Sequence, residues 1–131
     1  MPFIKHYLIA MVVFTLIDLI WLLGISTRLY KSKIGHLMAD KVNLPAAALF
    51  YLLFIGALVF FVINPAADKH SVLYALGAGA FFGLVAYATY DLTNLATLKG
   101  WPVSLTIIDL AWGSFVSGVT CAITTWIGGR L

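Results

Sequence analysis

Four apolar stretches constrain this chain more than any other feature, because a helix needs roughly 20 residues to cross a hydrocarbon core about 30 Å thick. At that length the four take up about 80 residues of a chain of 131. In lipid every backbone N–H and C=O must be satisfied within the protein, and apolar stretches of this length are expected to be helices. Only 10% of the residues are charged and 63% are hydrophobic, against about 25% charged in soluble domains. The chain therefore reads as an all-α integral membrane four-helix bundle, a single domain over residues 1–131 whose first partner is the lipid bilayer.

The spans are expected at about 7–25, 44–63, 72–98 and 103–127. The first is a retained helix and not a signal peptide, since its apolar run continues through Asp18 and Trp21 to Gly24 with no small-residue cleavage site. Asn43 and Pro45 supply a cap and a first turn for the second, and Asn64-Pro65 a stop. The third starts near Val72 and is expected to run through Asp91 to Leu98, ahead of the breaker Lys99-Gly100-Trp101-Pro102. Between helices 1 and 2, Ile34, Leu37 and Met38 recur at helical spacing among Arg28, Lys31, Lys33 and Lys41, which suggests a short amphipathic segment at the interface.

Eight Lys/Arg and five acids, all of them Asp, give a formal charge of +3. The basic residues are scattered through loops and termini, so nucleic-acid binding is excluded. Cys121 is the single cysteine and has no intrachain partner. His6, His36 and His70 fall in separate segments without metal-ligand spacing, and no motif implies a metal or another cofactor. Arg28, Lys31, Lys33, Lys41 and Lys99 lie on one side, Lys5, Lys69 and Arg130 on the other. The positive-inside rule then puts both termini outside the cytoplasm of an inner membrane, with an antiparallel dual-topology dimer as the alternative.

Three of the acids fall within or beside spans. Asp18 precedes Ile25 by seven residues, Asp91 precedes Leu98 by seven, and Asp109 follows Val103 by six. At 1.5 Å rise per residue all three lie roughly 9–11 Å below the same membrane face, forming one layer. Burying an Asp at a helix centre costs about 2.5–3.5 kcal/mol, and ionised neighbours would repel, so the layer needs protons, a base, a cationic ligand or hydrogen-bond donors. Tyr87, Tyr90 and Asn94 accompany Asp91. Trp21 follows Asp18 in Asp18-Leu19-Ile20-Trp21, and Trp112 follows Asp109 in Asp109-Leu110-Ala111-Trp112. These eight residues, Asp18, Trp21, Tyr87, Tyr90, Asp91, Asn94, Asp109 and Trp112, form the expected ligand-binding set. Gly79 and Gly83, a GxxxG pair, and the small ridge Asp109, Gly113, Ser117, Cys121, Thr125 mark helix contacts, within one chain or between two copies. In the bland reading the polar residues only tie helices together, and Trp21 and Trp101 anchor the interfaces.

The run Tyr90-Asp91-Leu92-Thr93-Asn94-Leu95-Ala96-Thr97-Leu98-Lys99-Gly100-Trp101-Pro102, with Asp109, Trp112-Gly113, Asp18 and Trp21, resembles the signature of a domain-of-unknown-function family of small four-span bacterial inner-membrane proteins. The resemblance implies location and fold and no activity. Small multidrug transporters share four spans but rely on a Glu, which this chain lacks. Intramembrane aspartyl proteases share Tyr-Asp but pair it with Gly-x-Gly-Asp, where this chain has Ile107-Ile108-Asp109-Leu110.

Acids within spans that hold no Lys or Arg favour binding or transport of a cation, a proton or a cationic small molecule. Two alternatives remain at this point: a membrane enzyme acting on a lipid, with one Asp as general acid or base, and a structural or partner-binding subunit. The residues leave catalysis open.

Overall fold

A computed structural model describes residues 3–35 and 43–131. Helix α1 (Phe3–Trp21) passes through a π-helical segment, Leu22–Ser26, into α2 (Thr27–Ile34). Helix α3 (Leu44–Leu58) passes likewise through Val59–Ile63 into α4 (Asn64–Asp68), and α5 (Val72–Thr97) and α6 (Val103–Arg130) complete the chain. Four spans, Phe3–Ile25, Leu44–Asp68, Val72–Thr97 and Val103–Arg130, are long and apolar enough to cross a membrane. The bundle is all-α among the described residues.

Local chemistry sets the helix starts. Asn43 Oδ1 accepts from the Ala46 N–H at 3.2 Å, and Ser71 Oγ from the Tyr74 N–H at 2.9 Å. Each satisfies one of the donors a helix N-terminus leaves open. Asn64-Pro65 does not stop the second span as expected. The Asn64 N–H reaches back five residues to Val59 O, so the ladder is already widened where Pro65 brings no N–H, and the helix continues to Asp68. Proline disrupts a regular α-ladder through its missing donor and its clash with the i−4 carbonyl; a π turn just before it relieves both. The third helix does carry past Asp91, to Thr97.

The segment after the first span is helical over Thr27–Ile34, and Ile34 packs with Trp101 and Leu105. Trp101 is thus buried beneath the chain and is not an interfacial anchor. Leu37, Met38, His36 and Lys41 lie outside the described residues.

Buried positions on α1 are His6, Ala10, Phe14 and Asp18, one ridge at four-residue spacing with a polar group at each end. Helices α5 and α6 form the most extensive pairing, and α1 packs on α6. The small residues explain the first pairing. A Cβ on Gly79 would lie 2.9 Å from Cys121 Cβ, and one on Gly83 only 2.3 Å from Gly113 O. The Gly79/Gly83 face and the α6 ridge, expected to serve either within the chain or between copies, are buried against each other within the chain. Phe14, Phe54, Ile55, Leu58 and Val116 fill the space between helices, while large apolar side chains such as Leu8, Ile20, Leu53 and Phe81 point outward toward lipid.

Candidate functional site

All three membrane aspartates are buried, Asp91 to 1% exposure, Asp109 to 6% and Asp18 to 8%. Their surroundings differ in kind. Asp18 is held by two donors from other helices. The Tyr51 hydroxyl donates to Oδ2, and the Trp112 indole Nε1–H donates to Oδ1 at 3.3 Å. Trp21, one turn from Asp18, stacks on Trp112 with ring centres 4.6 Å apart and planes 9° from parallel. The repeated Asp-Leu-x-Trp segments of α1 and α6 thereby meet: the tryptophan of one serves the aspartate of the other. A carboxylate with donors on both oxygens can stay buried without a ligand.

Asp91 has no such arrangement. Neither of its oxygens meets an N–H or O–H donor among the described residues, and the group it faces within hydrogen-bonding reach is the carboxyl of Asp109. A bond between two carboxyls requires a proton on the pair, and two ionised carboxylates at that separation would require a cation between them. Here the three acids divide: Asp18 is satisfied by donors from the fold, whereas both oxygens of Asp91 are left without a donor among the described residues.

A cavity of about 410 Å³ opens beside this pair, lined by Phe50, Ala86, Tyr87, Tyr90 and Asp109. Tyr87 is positioned by the absence of a side chain at Gly113, where a Cβ would fall 2.2 Å from its Cγ. The ring stands edge-on to Phe54 at 6.3 Å. Tyr90 is 54% exposed and Phe50 47%, so the cavity mouth faces sideways, between the second and third spans, where the bilayer would lie. Tyr90 is braced by the edge of Trp101, at 5.7 Å and 87°.

Among the eight expected residues, Asp18, Trp21 and Trp112 form one group, and Tyr87, Tyr90, Asp91 and Asp109 gather at or beside the cavity. Asn94 is half-buried one turn beyond Asp91, and its carbonyl accepts from the Leu98 N–H. Two contributors were not anticipated, Tyr51 and Phe50, both on α3, which carries no charged residue. Their signal was weak: a tyrosine in an otherwise apolar run, which reads equally well as a core residue.

A second polar group lies at the other end of α1. His6 is 2% exposed, and its Nδ1 donates to Asn64 Oδ1 at 2.7 Å. Between the two ends, the buried hydroxyls of Ser117, Thr120, Thr124 and Thr125 on α6 have no hydrogen-bond partner among the described residues.

Comparison with known proteins gives a family and no more. The model of a family described as a predicted membrane protein, DUF2177, matches residues 3–126. No curated protein and no solved structure matches the chain.

Proposed function

The chain belongs to the DUF2177 family of predicted membrane proteins, and we propose from its own geometry that it binds a cationic small molecule at the Asp91–Asp109 pair, a proton occupying the pair when the cation is absent. The observation that carries this reading is the donorless, buried Asp91 facing Asp109 at the wall of an aromatic cavity. Acid supplies the charge complement, and Tyr87, Tyr90 and Phe50 supply ring faces and apolar area suited to an organic cation. The sideways mouth lets a lipophilic cation enter from the bilayer. With the positive-inside rule, this site lies toward the cytoplasmic face of an inner membrane, with both termini outside.

Uptake or equilibrium binding of tetraphenylphosphonium by the full-length chain in proteoliposomes tests the reading. Asp91→Asn and Asp109→Asn should each abolish saturable binding, and proton release on binding should vanish with it. Asp18→Asn should leave binding in place if the protein remains folded. Saturable binding that survives both substitutions at the pair would sink the proposal.

The lateral mouth also favours a second reading, a membrane enzyme that draws a lipid headgroup to Asp109 as general acid or base. Lipid profiles that are unchanged between cells lacking and overproducing the protein would remove it.

A further inference from the structure

At the end of the bundle where α1 and α5 begin, a second cavity of about 660 Å³ is lined by Lys5, His6, His70 and Arg130, with Asp68 as the acid among its walls. It falls in the size range of small-molecule sites, ~300–1,000 Å³. Four basic side chains from three separate segments of the chain converge there. The basic side chains favour a negatively charged occupant.

The walls are built and held. His6 is fixed by its bond to Asn64, and its Nε2 approaches Gly128 so closely that a Cβ there would lie 2.8 Å away. Lys5 Nζ donates to Gly128 O at 3.0 Å, which ties the start of α1 to the end of α6. The Arg130 guanidinium lies over the Trp126 ring, 4.8 Å from its centre. His70 takes a left-handed backbone conformation, φ 52°, in the turn between α4 and α5. A side chain in that region is uncommon, and strain of this kind persists where the surroundings require the residue.

We propose that this cavity binds a phosphate group, with Lys5 and Arg130 supplying positive charge and His70 a ring N–H donor. It lies where the spans end, at the depth of lipid headgroups, so the phosphate belongs either to an anionic lipid or to a free ion. The site is independent of the aspartate cavity: His6 and Asp18 are twelve residues apart on one helix, about 18 Å along its axis.

The test measures binding of phosphatidylglycerol, diacylglycerol and inorganic phosphate to the full-length chain in detergent, by native mass spectrometry for the lipids and calorimetry for the ion. Phosphatidylglycerol is expected to bind and diacylglycerol not. Charge-assisted hydrogen bonds are worth enough that Arg130→Gln and His70→Gly should each weaken binding about tenfold. Glycine accepts φ 52° without steric cost, so His70→Gly keeps the fold while removing the ring, and its unfolding temperature verifies this. If inorganic phosphate binds with the same dependence on both residues, the ligand is the free ion; if only phosphatidylglycerol does, it is the headgroup. Equal binding of phosphatidylglycerol and diacylglycerol, wild-type binding by both variants, or binding of neither phosphate probe overturns the proposal.

Discussion

Gly83→Ala should be the most informative single methyl in this protein. The added Cβ would sit 2.3 Å from Gly113 O, 2.4 Å from Ser117 Oγ and 2.5 Å from Ser117 Cβ, where ordinary contact begins at 3.4 Å. Ser117 can rotate its hydroxyl away, but the Gly113 carbonyl is backbone and cannot. The axes of α5 and α6 must therefore part by about 1 Å locally, in the most extensive helix pairing of the bundle. Overpacking of this kind costs about 1–3 kcal/mol, and the upper half of that range is expected because the obstacle is main chain. Gly77→Ala, on the same helix, is the control. Nothing lies within 4 Å of its added Cβ, and alanine is favoured over glycine inside a helix by up to about 1 kcal/mol. Reversible unfolding of the full-length chain in mixed micelles should show Gly83→Ala less stable than wild type and Gly77→Ala equal or more stable. Equal stability of the two variants would refute the claim that α5 and α6 pack through Gly83. Because Gly113 also seats the Tyr87 ring, a parted pairing should weaken cation binding at the neighbouring cavity as well.

Tyr51→Phe removes one of the two donors on the buried Asp18 and should destabilise the fold by about 1–3 kcal/mol. Trp112→Phe removes the other donor and the stack with Trp21, so the near-ultraviolet dichroism of the tryptophan pair should collapse; a spectrum identical to wild type would deny the pairing. Ser71→Ala deletes the cap of α5 and should cost about 1 kcal/mol, read by the same unfolding assay, with no effect on cation binding.

The sequence by itself determined the class and most of the architecture. Span length and scarce charge leave few folds open, and Asn43 and Pro45 marked a helix start correctly. It also gave the expectation that Asp18, Asp91 and Asp109 share one depth, since rise per residue converts position into depth. What it left open was rotation about each helix axis and the neighbour each face would meet. Hydropathy patterns cannot resolve these when lipid and the bundle interior are both apolar. Tertiary structure decided that Asp18 is answered by Tyr51 and Trp112 while Asp91 faces only another acid. It decided that Asn64, read as a stop, instead binds His6, because a π turn before Pro65 carries the helix onward. His6, His70 and Arg130 lie far apart in sequence, and their convergence depends on how the ends of separate helices meet. Composition and periodicity say which residues enter the membrane; only the packing of one helix on another says which polar groups find each other there.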